Sequence, residues 1–139
     1  MEQSEGGQQP QMTEEQRKEL EEKLKDMSPE EIAELQKQQC IFCQIVSGKI
    51  PSKKIYEDEK VIAILPSKPA VGGHVILMPK EHFPILEQIP DELVGYLFNV
   101  ANKLSSAIFQ SVGAQGTNII VNNGLSAGQD VAHFRIDIL

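Results

Sequence analysis

Apolar residues recur at helical spacing through Leu93, Leu97, Val100, Leu104 and Ile108, so the stretch that Asp91 caps predicts one long helix to about Val112 with a single core-facing stripe. Gly113 and Gly116 close it. Around this helix the pattern is that of short strands. Lys53 to Glu57 and Val61 to Leu65 are β-prone runs separated by Asp58-Glu59-Lys60, which predicts a hairpin. A loop from Pro66 to Gly73 leads to a third strand from His74 to Met78, stopped by Pro79. Thr117 to Val121 predicts a fourth strand, Asn122 to Gln129 a polar loop, and Val131 to Leu139 a fifth strand. In the fifth, alternation puts Phe134, Ile136 and Ile138 on one face and His133, Arg135 and Asp137 on the other, a half-buried strand whose polar row is concentrated enough to be a site. Together these elements predict an α+β domain, a largely antiparallel five-stranded sheet with the long helix on one side.

Upstream of Cys40 the apolar signal thins. Residues 1–12 are rich in Gln, Gly and Glu, with Pro10 as a breaker, and are expected to be disordered. Thr13 with Gln16 starts a helical stretch to about Lys25, and Ser28-Pro29-Glu30-Glu31 starts a second. Leu20, Leu24, Ile32 and Leu35 supply only a narrow stripe, which suits two solvated helices better than a coiled-coil partner site. Residues 1–38 are therefore expected to be an acidic, partly helical appendage, and residues 39–139 the domain, opened by a short apolar helix or turn from Cys40 through Val46.

With 139 residues, 40% of them apolar and 5% aromatic, the chain supports one modest core. No apolar run approaches the roughly 20 residues that span a bilayer, and the N-terminus lacks a basic start followed by an apolar segment. A soluble cytoplasmic protein with no membrane partner is expected. The net charge of −7 sits on the appendage, since residues 1–39 carry eleven acidic and five basic side chains, leaving about −1 for the rest. A basic stripe with interleaved aromatics is missing, which argues against nucleic acid as a partner.

The two cysteines both lie in Cys40-Ile41-Phe42-Cys43. Outside an oxidising compartment this spacing reads as metal binding or redox chemistry, and the thioredoxin-like βαβ pattern that a redox pair would need is absent. A Cys2His2 zinc site would draw on two of the three histidines, His74, His82 and His133, and spacing alone does not choose between them. Apolar-packed thiols beside unrelated histidines are the alternative.

From Cys40 to Leu139 the chain resembles the histidine triad (HIT) family through five ordered motifs: Cys-Ile-Phe-Cys at 40–43, Ser-Gly-Lys-Ile-Pro-Ser at 47–52, Ile-Tyr-Glu-Asp-Glu at 55–59, Gly-His-Val-Ile-Leu-Met-Pro-Lys-Glu-His at 73–82, and Gly128-Gln129 followed by Val131 and His133. The resemblance implies a HIT-like fold. In zinc-bearing members it also implies a structural Zn2+ held at the positions of Cys40, Cys43, His82 and His133. Family members generally pair the long helix and an edge strand into a homodimer.

The same resemblance marks departures. The family's middle triad His attacks the α-phosphorus of a nucleotide, and its position here is Arg135, whose guanidinium has no lone pair. The third triad position is Asp137. Pro66 stands where family members have an Asp for the ribose hydroxyls, and Asp130 where many carry a Ser that assists the leaving group. Asn122, Gly128 and Gln129 match positions that contact phosphate and ribose, and amides of the Asn122 to Gln129 loop could cradle an anion. Arg135 could clamp a phosphate bidentately, or simply pair with Asp137. Family members usually continue past the triad into a tail that shapes the leaving-group pocket, whereas Leu139 falls inside the expected strand, so that pocket is expected to be open.

The expectation is thus a zinc-bearing HIT-like domain that binds a purine nucleotide or nucleoside phosphate weakly and is catalytically impaired, with no catalytic residue assigned. One competing reading is an active nucleotidyl hydrolase or transferase on nucleoside phosphoramidates or dinucleotides, with Arg135 stabilising charge. Another is a scaffold acting through the N-terminal helices.

Overall fold

Residues 13–139, which the computed structural model describes, divide by their contacts into one unit up to Gln36 and a second from Lys37 to Leu139. The disorder expected for residues 1–12 lies outside the described residues. In the first unit, α1 (Glu14–Asp26) opens on a reciprocal cap: Thr13 Oγ1 accepts the Gln16 N–H and Gln16 Oε1 accepts the Thr13 N–H. Ser28 and Glu31 repeat that exchange at the start of α2 (Pro29–Gln39), at 3.2 and 2.7 Å. Neither helix buries a residue, which follows from the narrow apolar stripe.

The second unit contains α3 (Ile41–Val46), β1 (Lys53–Glu57), β2 (Val61–Leu65), β3 (Val75–Pro79), α4 (Asp91–Val112), β4 (Ile119–Ile120) and β5 (Ile136–Ile138). The five strands form one sheet in the order β1-β2-β3-β5-β4, every neighbouring pair antiparallel. Asp58 builds the β1–β2 turn. Its Oδ1 accepts the N–H groups of Lys60 and Val61 at 2.8 and 2.9 Å, and its Oδ2 accepts the hydroxyls of Tyr56 and, from α4, Tyr96.

Both faces of the sheet are covered. Val61, Ala63, Val75, Leu77, Ile136 and Ile138 pack with Leu97, Val100, Ala101 and Ile108 of α4, while Ile62, Ile64, Ile76 and Met78 pack with Cys40, Phe42 and Ile45 around α3. The unbroken apolar runs of β2 and β3 are the signature of strands buried on both sides. The helix-on-one-side expectation therefore needs α3 added as a second layer.

Four boundaries differ from the sequence pattern, the first being β3, which starts at Val75 rather than His74 and includes Pro79. Pro90, rather than Asp91, is the N-cap of α4, and Asp91 sits in the first turn where a carboxylate suits the helix dipole. β4 has two residues, not five. β5 begins at Ile136 because the preceding amides bond elsewhere: the His133 N–H turns back to Val131 O at 2.8 Å and the Phe134 N–H reaches Phe83 O at 2.7 Å. The alternation still holds, with Phe134, Ile136 and Ile138 in the α4-side core. One glycine matters for closure: Gly73 has φ +88°, where a side chain is strained, and a Cβ there would crowd α4 at 3.3 Å from Ile108 Cγ2.

Candidate functional site

Cys40 is the N-cap of α3, and the tight start of that helix turns the Cys43 N–H onto Cys40 Sγ at 3.3 Å. His82 lies just past β3 and His133 just before β5, and the β3–β5 pairing brings those two segments together. One donor atom from each of Cys40, Cys43, His82 and His133 lies within 4.8 Å of the other three. The Nδ1 of His133 is 3.4 Å from Cys40 Sγ and 3.5 Å from Cys43 Sγ, and the Nδ1 of His82 is 3.2 Å from Cys43 Sγ.

The protonation pattern follows from the outer contacts. His133 Nε2 donates to Pro79 O at 2.8 Å, which leaves Nδ1 with its lone pair towards the sulfurs. Burial drives the His133 pKa down to about 4, with the nearby His82 adding to the effect against the Pro79 hydrogen bond, so the ring is neutral at neutral pH. His82 is also lowered, by burial and then by the charge of Lys37. Burial, followed by the hydrogen bond and charge of Cys40, pushes the Cys43 thiol up to about 12. His82 Nε2 is buried without a hydrogen-bond partner.

This donor set fits zinc. In a tetrahedral site with Zn–S near 2.3 Å and Zn–N near 2.0–2.1 Å, sulfur and nitrogen stand roughly 3.5 Å apart, close to the observed separations. Hydrogen bonding alone does not account for the cluster, because two sulfurs converge on the single lone pair of His133 Nδ1. A cation would hold the thiolates that burial otherwise disfavours.

A second group of polar side chains lies beside the first. Arg135 Nε donates to Asp137 Oδ2 at 3.0 Å, and its Nη1 lies 3.2 Å from Asp130 Oδ1. Asp137 Oδ1 lies 2.8 Å from His74 Nε2, and the Ala70 N–H donates to His74 Nδ1 at 3.1 Å. The Ala70 contact requires a lone pair on Nδ1, so His74 is neutral and donates from Nε2 to Asp137. The row Asp130–Arg135–Asp137–His74 thus carries a net charge of about −1 by count of its ionised groups. Phe42 connects the two groups, edge-on to the His133 ring and under the Arg135 guanidinium, 5.6 Å from its centroid.

The sequence marked His74 only as one of three candidate zinc histidines and Asp130 only as a departure from the family pattern, and it placed neither as a partner in this row. The signal for His74 is register: Ile76 faces Asp137, which sets His74 at the end of that row. Of the expected nucleotide contacts, Asn122 is exposed, and Gly128, at φ +89°, approaches it closely enough that a Cβ would lie 4.0 Å from Asn122 Nδ2. The Gln129 side chain is engaged within the protein, and the amides of Ala127, Gly128 and Gln129 donate to carbonyls of the same loop. The cradle of free amides expected there is correspondingly smaller. A cavity of about 350 Å³ lies between Tyr56, Tyr96, Asn99 and Lys103, and includes no member of either group.

Residues 47–139 match the HIT domain family. Over 101 residues the chain is 41% identical to an uncharacterised HIT-like protein of Methanocaldococcus jannaschii, covering 72% of this chain and 77% of that one. It is 38% identical over 100 residues to the adenylylsulfatase HINT3 of Arabidopsis thaliana, again 72% of this chain but only about half (51%) of that longer relative. Among solved structures, a HIT family protein from Bacillus subtilis superposes with a TM-score of 0.70 at 40% identity, covering 73% and 72% of the two chains. A zinc-bound histidine triad family protein from Mycobacterium smegmatis gives 0.71 at 36% identity over 74% and 75%.

Proposed function

The chain belongs to the HIT, or histidine triad, family, and from that premise we propose that it is a zinc-stapled nucleotide-binding module with impaired nucleotidyl chemistry. The observation that carries this reading is the contrast between two adjacent groups. Four zinc-type donors converge, while Arg135 and Asp137, at the second and third triad positions, are held by Asp130 and His74. Zinc would be held by Cys40, Cys43, His82 and His133. Four protein ligands leave no open position, so the metal would supply a structural cross-link rather than Lewis-acid chemistry. That a relative of the same fold is zinc-bound supports a metal here.

Arg135 has no lone pair with which to attack phosphorus, and no imidazole in the row is free to replace it, because both nitrogens of His74 are engaged. What the row retains is a guanidinium with N–H groups beyond those used on Asp130 and Asp137, suited to one phosphate of a nucleotide or nucleoside phosphate. Asn122, Gly128 and Gln129 belong to the loop beside it. A homodimer and a cytoplasmic location complete the reading. No helix among the described residues is long and apolar enough to cross a membrane.

Metal analysis and an adenosine phosphoramidate assay on the purified chain test the proposal. About one zinc equivalent and turnover no faster than background are expected. Less than about half an equivalent, with no loss of stability on chelation, would remove the metal. Turnover that disappears in Arg135→Ala or Asp130→Ala would instead show a working enzyme.

A further inference from the structure

One side chain ties the loop between β4 and β5 to the segment that follows β3. Gln129 Oε1 accepts the Gly124 N–H at 2.8 Å, while its Nε2 donates to Pro84 O at 2.6 Å and to Val131 O at 3.0 Å. Both carbonyls stand two residues from a histidine of the metal cluster: Pro84 follows His82, and Val131 precedes His133. Val131 O also accepts the His133 N–H at 2.8 Å, so a single oxygen joins the Gln129 side chain to the His133 backbone. The Phe134 N–H on Phe83 O, at 2.7 Å, closes a second link between the same two segments.

The cluster needs such a tie at His82 more than elsewhere. The cysteines are placed by the first turn of α3, and the His133 ring is anchored on Pro79 O. His82 has no outer hydrogen bond on Nε2 and lies outside every helix and strand, so the position of its imidazole depends on the backbone around it. A carboxamide suits the task, since it offers two donors and an acceptor from one planar group, and here both functions are used.

We propose that Gln129 is a positioning residue for the Cys40–Cys43–His82–His133 metal site, holding the two histidine-bearing segments at the separation that coordination requires. The proposal rests on the metal reading above. It gives Gln129 a role other than contact with a nucleotide.

The test uses cobalt(II) as a spectroscopic probe in the full chain, with Gln129→Leu, Gln129→Glu and, as a control, Asn123→Ala. Asn123 cross-links the same region through the Leu86 N–H and Glu87 Oε1 but touches neither histidine-flanking carbonyl. Both Gln129 variants are expected to bind cobalt about tenfold or more weakly, with an altered visible band, while Asn123→Ala stays within about twofold of the unmodified chain. Should Gln129→Leu fail to fold, Gln129→Glu, which keeps the size and the acceptor for Gly124, carries the test. Native affinity and spectrum in the Gln129 variants would overturn the proposal, and so would an equal loss in Asn123→Ala. If the unmodified chain takes up neither cobalt nor zinc, the metal reading itself fails, and this proposal falls with it.

Discussion

Arg135 is held by two carboxylates of unlike exposure: the Asp137 side chain is 9% exposed and that of Asp130 67%. The buried partner fixes the guanidinium over Phe42, whereas the exposed one competes with solvent and with any incoming anion. Asp130→Asn is therefore expected to tighten AMP binding, by up to about fivefold for an exposed pair worth up to ~1 kcal/mol, read by titration calorimetry. Unchanged or weaker binding would argue against Arg135 as a phosphate clamp. At this scale the sequence showed the polar row and the side each member takes, because alternation needs no knowledge of distant partners. It did not show that His74 closes the row, which depends on β3 and β5 pairing so that Ile76 faces Asp137. Nor did it show that both hydrogens of the Gln129 amide are spent on carbonyls inside the protein.

The β1–β2 hairpin is the element whose limits the sequence displayed best, since two apolar runs flank a charged turn and little else competes for them. Its turn rests on Asp58. Burial opposes the charge there, but hydrogen bonds from Tyr96, Val61, Lys60 and Tyr56 outweigh it and hold the carboxyl well below the usual range. A depressed carboxyl pKa contributes stability that is present above the unfolded-chain value near 3.9 and is lost as pH falls through the folded value. Asp58→Asn is expected to cost about 1–2 kcal/mol at pH 7. The gap in Tm between variant and parent should narrow from pH 7 to pH 3, followed by thermal unfolding. A gap that stays constant with pH would mean that the carboxylate charge is not what the turn uses. The start of β5 was less legible, because the His133 amide turns back on Val131 and the Phe134 amide bonds to Phe83 rather than along a ladder, and hydropathy does not encode that choice.

For the whole molecule, sequence pattern identified the α+β class and the five strands, but it missed the second layer, because six residues of α3 are too few to announce a covering face. Several large apolar side chains of the domain stay exposed. Phe98 and Phe109 are 42% and 45% exposed on α4, eleven residues and so about three turns apart on one face, and β4, at the sheet edge, leaves Ile119 41% exposed. A second copy is the proposed cover. Phe98→Asp with Phe109→Asp is expected to halve the mass seen in sedimentation at micromolar concentration, and an unchanged mass would place any dimer elsewhere. The Cys40–Cys43–His82–His133 cluster, for its part, recruits residues from nearly the full length of the domain, with Cys40 and His133 separated by 93 positions. Local folding cannot assemble it. If the proposed metal is bound, its coordination would require the sheet to be closed, β5 to lie beside β3 and the segment before it to be settled, so the metal would act as a lock on a finished tertiary structure rather than as its nucleus.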